Sequence, residues 1–146
     1  PKNQVEMFTS SVSCRAKNVV DFDDLDSRLV TNDEENSWLK YDFKNRKVRP
    51  THYSIRSKPD RPGSAHPMNS VIEGSNSDND EDWIVIDGRN GITDLNNRSV
   101  VCNFEIQRQG NEKDFYRYLR LRQTGKNAQG DYYLVFSSLE YFGSVI

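Results

Sequence analysis

The stretch from Phe115 to Phe142, FYRYLRLRQTGKNAQGDYYLVFSSLEYF, restricts the fold more than any other, because two apolar strands there flank one polar loop. In its first half Phe115, Leu119 and Leu121 fall on one face and Tyr116, Tyr118, Arg120 and Arg122 on the other. That period of two belongs to a strand with one face on a core. Gly125 and Gly130 bracket the loop, and the return run YYLVFSSLEYF is rich in aromatic and β-branched residues, which suit a pleated, half-buried surface. Nothing in the stretch points to catalysis. It predicts a binding scaffold against which the upstream segments pack.

Upstream, NSWLKYDF alternates, with Leu39, Tyr41 and Phe43 on one face and Trp38, Lys40 and Asp42 on the other. KNRKVRP is a polar turn ended by Pro50, and THYSIRS is a second strand. SKPDRPGSAHPMN is a long loop by its proline and glycine content, hence functional or mobile. SVIEGSN and DWIVIDGR are short strands joined by the acidic SNSDNDE. NGITDLNN makes a turn, SVVCNFEIQR a strand with Val100, Cys102, Phe104 and Ile106 on its apolar face, and QGNEKD a turn. AKNVVDF near the start reads as a short helical turn or an irregular segment. About seven or eight short strands with turn signals between them point to an all-β antiparallel sandwich or barrel. Its core should bring together Leu39, Phe43, Val100, Phe104, Leu119 and Leu121.

The length of 146 residues predicts one domain, 1–146, with a real core. A net charge of −2 with both signs abundant gives no global attraction to nucleic acid or anionic lipid, and no apolar run nears the length of a membrane span. The start, PKNQVEMFTSS, has neither a signal-like apolar core nor an initiator Met, as expected of a fragment of a longer polypeptide. Cys14 and Cys102 favour free thiols in a reducing, cytoplasmic setting, with a single bridge as the alternative. One Asn-X-Ser triplet, Asn97-Arg98-Ser99, does not overturn that, since such triplets arise by chance.

Taken in order, NSWLKYDF, PTHYSIRS, SVIEGSNSDNDEDWIVID, DFYRYLRLRQTG and LVFSSLEYFG resemble the discoidin, or coagulation factor 5/8 type C, family across nearly the whole chain. The resemblance implies a galactose-binding-like jelly-roll β-sandwich, and is nearest the intracellular branch found beside BTB and BACK domains. Secreted members join the domain ends by a disulfide, whereas this chain has Cys14 near one end and no cysteine near the other. Ser70 stands where the family often has Trp, and Leu29 where it often has an aromatic. The resemblance also places the ligand loops at one end, at about Arg28 to Asn36, Ser57 to Asn69 and Gln123 to Asp131.

Those three loops contain no Trp, Phe or Tyr, so the means for stacking on a sugar or entering lipid are thin. They and the strand ends beside them do offer polar groups: Asn32, Asp33, Arg56, Lys58, His66, Arg122, Asn127 and Asp131, with Asp60 and Arg61 among them. These are the candidate ligand-binding residues, and Arg56, His66 and Asn127 are expected to converge as an exposed surface. The bland alternative for each is an ordinary solvated loop residue. Relatives with a structural calcium suggest Asp21, Asp23 and Asp26 with Glu140 as its ligands; Phe22 departs from their pattern, and a solvated acidic turn is the favoured reading.

Two histidines, no zinc-spaced His/Cys cluster and no nucleophile motif exclude ordinary hydrolase chemistry. The basic run Lys44, Arg46, Lys47, Arg49 lacks the interleaved aromatics of a single-strand binder. The expectation is therefore a noncatalytic, cofactor-free protein-interaction module that recognises a protein partner through the loops at one end of the sandwich, within a larger adaptor or scaffold, and neither binds nucleic acid nor inserts into membrane, with a carbohydrate-binding domain, calcium-dependent or not, as the alternative.

Overall fold

The computed structural model describes residues 5–11, 28–108 and 114–146. The AKNVVDF segment, Cys14 and the acidic residues Asp21, Asp23 and Asp26 lie outside them. Ten strands are present: β1 (Glu6–Thr9), β2 (Leu29–Val30), β3 (Trp38–Asp42), β4 (Val48–Arg56), β5 (Ser70–Ser75), β6 (Ile84–Arg89), β7 (Val101–Glu105), β8 (Tyr118–Gln123), β9 (Val135–Phe136) and β10 (Ser138–Val145). They form a five-stranded sheet in the order β1-β3-β8-β5-β6, a three-stranded sheet β10-β4-β7 and a small β2-β9 pair. All the pairings are antiparallel.

The expected alternation builds the core. In register across the larger sheet stand Leu39, Leu121 and Ile72, each at most 1% exposed. The smaller sheet supplies Tyr53, Ile55, Phe104 and Leu139, with the rings of Tyr53 and Phe104 stacked 5.1 Å apart. Of the six expected core residues, Leu39, Phe104, Leu119 and Leu121 are buried, and Phe43 and Val100 pack on the core half-buried.

Three expectations are corrected. The strand does not begin at Phe115: Tyr116 is buried and pairs with Val48 of β4, in the other sheet, before the chain bends at Arg117 and enters β8. Crossing between sheets resets the alternation, so Phe115 is half-buried under the Arg49 guanidinium instead of facing the core. Pro50 lies inside β4 and does not end a turn. It stands opposite Gly143, where a bulge shifts the β4–β10 register, a place that tolerates a missing N–H. The return run is also interrupted, with Tyr132, Tyr133 and Leu134 outside any strand.

The outer face of the larger sheet carries a second, polar layer. Glu73 accepts from Arg120 (2.9 Å) and Arg122 (3.1 and 3.2 Å), and the Arg120 guanidinium lies 4.2 Å from the Trp83 ring. The acidic loop after β5 folds back over this face, where Lys40 donates to Asp78 at 2.7 Å. Nearby, buried Asp42 accepts two bonds from Arg117 and one from the Lys44 N–H. Burial raises this carboxyl's pKa, but those donors outweigh it and hold the value below the usual carboxylate range. A depressed folded pKa gives stability that is complete above the unfolded value of about 3.9 and is lost as pH falls through the folded one. Arg117→Gln should therefore flatten the acid limb of stability against pH, read from urea midpoints. An unchanged limb would remove this pair from the account.

Candidate functional site at the loop end

At one end of the sandwich four connections meet: residues 31–37, 57–69, 90–100 and 124–134. They are stapled mainly by side-chain amides. Asn69 donates through Nδ2 to the Lys126 carbonyl (2.9 Å), accepts through Oδ1 from the Gly91 N–H (2.8 Å), and its carbonyl accepts from Thr124 (3.0 Å). Gly125 permits this approach, since a Cβ there would sit 3.1 Å from the Asn69 side chain.

Asn127 organises the last connection. Its Oδ1 accepts from the N–H groups of Gln129, Gly130 and Asp131 at 3.0–3.2 Å, and its Nδ2 donates to Asp131 (2.6 Å) and to the Tyr133 carbonyl (2.8 Å). Buried Gln123 donates through Nε2 to the carbonyls of Tyr132 (2.9 Å) and Tyr133 (3.1 Å). From the other side the Tyr132 N–H donates to Asp33 Oδ1 at 2.7 Å, and the Leu134 N–H to Thr31 Oγ1 at 2.9 Å. The backbone at Tyr132 and Tyr133 is thus held from several directions. Both residues are partly buried and keep some contact with solvent.

The sequence-expected residues divide by environment. Asn32 and Asp33 are exposed and Asp131 half-exposed, all in the loops around the two tyrosines. His66 and Asn127, expected as exposed partner contacts, are instead 0% and 3% exposed. His66 Nε2 lies 3.0 Å from the carbonyls of Asp60 and Arg61, so it carries a proton toward them, and the His66 carbonyl accepts from the Ala128 N–H at 2.9 Å. These two residues join the loops from beneath because the turns leave main-chain groups that need partners out of reach of water. Lys58 is also buried, 2.9 Å from Asp60, and its hydrogen bond leads the effects that hold the Asp60 carboxyl below the usual range. Arg122 is committed to Glu73 and to Asn36 on the outer sheet face. Arg56 closes β4 half-buried, its carbonyl accepting from Ser137.

The two tyrosines are what the sequence reading missed. Two adjacent residues cannot both face a core at period two, and Leu134, Val135 and Phe136 are buried in succession. Both facts indicate that the run is not one regular strand, so its first residues belong to the loop. Of the suggested calcium set, half-buried Glu140 is described, on β10. Among the described residues no cluster of three or more His, Cys, Asp or Glu is placed to hold a metal.

No family model and no curated protein matches the chain. Solved structures do share its fold. CpGH89CBM32-6 of Clostridium perfringens is similar with a TM-score of 0.66 at 17% identity, covering 98% of this chain and 96% of that one. CBM32 of AlyQ, in complex with 4,5-unsaturated mannuronic acid, gives 0.69 at 11% identity with 95% of each chain covered. The lectin domain of lectinolysin, complexed with Lewis B antigen, gives 0.66 at 15% identity, covering 95% of this chain and 92% of that one. At these identities the likeness establishes the fold, an antiparallel galactose-binding-like jelly-roll sandwich.

Proposed function

We propose that the chain is a noncatalytic carbohydrate-binding module whose sugar site lies at the loop end, around Tyr132 and Tyr133. The observation that carries this reading is the pair of partly exposed tyrosines on a fixed backbone, beside exposed Asn32 and Asp33. A sugar presents an apolar C–H face to an aromatic ring and hydroxyls to polar groups at its edge, and this arrangement offers both. Prior fixation by Asn127 and Gln123 lowers the ordering cost of binding. The neighbours with bound ligands add support, since their ligands are sugars. On this reading Tyr132 and Tyr133, just beyond Asp131, supply the aromatic surface that the three loops lack.

A glycan array, run with and without chelator, tests the reading and reports whether Asp21, Asp23, Asp26 and Glu140 matter to it. We expect a defined set of glycans to bind, and Tyr132→Ala with Tyr133→Ala to weaken the best of them at least about tenfold, or 1.4 kcal/mol. The thermal midpoint should move little, because partly exposed loop positions contribute little to stability. No glycan bound above background would reject the proposal.

A further inference from the structure

A second concavity borders the 90–100 connection through Ile92 and Asp94, and neither Tyr132 nor Tyr133 lines it. It measures about 620 Å³ and runs along β7, which among the described residues has β4 on one side and no strand on the other. Phe104 and Cys102 pair in register with Tyr53 and Ile55, and the Ile106 N–H donates to the Thr51 carbonyl. By the alternation of an antiparallel ladder, the main-chain groups of Val101, Asn103 and Glu105 then point away from β4. The Arg89 guanidinium confirms this direction, reaching the Glu105 carbonyl from outside at 2.6 Å. The N–H and C=O groups of Val101 and Asn103 have no such partner among the described residues.

The walls have a definite character. Ile92 and Phe104 supply apolar surface. Arg89 is neutralised by both oxygens of Asp87, at 3.0 Å each. Asp94 and Glu105 are exposed and form no ion pair among the described residues, so the rim carries uncompensated negative charge. Unpaired, evenly spaced main-chain groups beside a cleft are the features that strand addition uses, while the side chains of the added strand meet the walls.

We infer that the open edge of β7 docks an extended peptide with basic side chains at alternate positions. Its main chain pairs with Val101 and Asn103, and its cations meet Asp94 and Glu105. This surface touches the 90–100 connection but includes neither Tyr132 nor Tyr133, and the inference does not rest on sugar binding there.

The test is an amide NMR titration of the full chain with the synthetic peptide acetyl-Thr-Lys-Val-Lys-Val-Lys-Thr-amide, beside its analogue with Glu for each Lys. The basic peptide should shift the Val101 and Asn103 amides saturably and slow their exchange, and the acidic one should not. Asp94→Lys with Glu105→Lys should weaken binding at least tenfold. Val101→Pro, which removes one outward N–H without touching the β4 ladder, should weaken it while leaving glycan binding unchanged. Should Val101→Pro fail to fold, the two exposed charge reversals decide alone. No saturable shift at these amides, equal response to both peptides, or shifts confined to another surface would overturn the proposal.

Discussion

Leu121→Ala is expected to lower the unfolding free energy by about 2–5 kcal/mol, the range for truncating a buried leucine to alanine. Leu121 lies on β8, the third and central strand of the five-stranded sheet, 1% exposed, between Leu39 on β3 and Ile72 on β5, both themselves buried. Neighbours fixed in two ladders can collapse only slightly into the space left, so a cavity remains and its cost adds to the lost transfer energy. Against a typical domain stability of about 5–15 kcal/mol, this is a large fraction. Urea denaturation of both proteins measures it. An unchanged midpoint would mean that β8 does not face the core as described.

A comparable loss is expected from Glu73→Ala. The Glu73 side chain is 6% exposed and holds Arg120, at 12%, and Arg122, at 26%. Removing the carboxylate leaves two guanidiniums facing each other, one of them clamped 4.2 Å from the Trp83 ring with little access to water. Breaking a buried pair from one side costs about 3–5 kcal/mol. Arg122 keeps partial solvent and its bond to Asn36, so the expected loss is about 2–4 kcal/mol, discounted for screening. The control is Glu73→Leu with Arg120→Met, which removes the charge conflict and should recover much of the loss. Equal destabilisation by the single and double variants would show that Glu73 contributes by packing alone.

How far the sequence revealed this molecule depends on which interaction decides each residue's place. Where burial of one strand face decides, as for Leu39, Leu119, Leu121, Phe104 and Ile106, alternation was sufficient and the sandwich was legible. The Tyr116 side chain was assigned to the wrong face because its position is decided by pairing with Val48 across the sandwich and by Gly74, where a Cβ would come within 2.7 Å of the Tyr116 ring. Neither partner is close in sequence.

The site was legible as a place more than as a set of contacts. The loops do meet at one end, joined through Asn69, Ala128 and Asp33. Yet His66 and Asn127, which as polar loop residues look solvent-facing, are taken inward by main-chain groups of other loops, and Tyr132 and Tyr133, which by composition look strand-like, are left at the surface. Residue type signals what a side chain can bond. Which partner is within reach is a property of the assembled loops.

The central claim, that the end around Tyr132 and Tyr133 takes a sugar, is tested most directly by titrating the isotope-labelled chain with the strongest glycan from the array and following its amide spectrum. The account predicts saturable shifts clustered at residues 31–37 and 124–134, abolished by Tyr132→Ala with Tyr133→Ala, with the β7 amides unmoved. Saturable shifts that cluster elsewhere and survive the double substitution would contradict it.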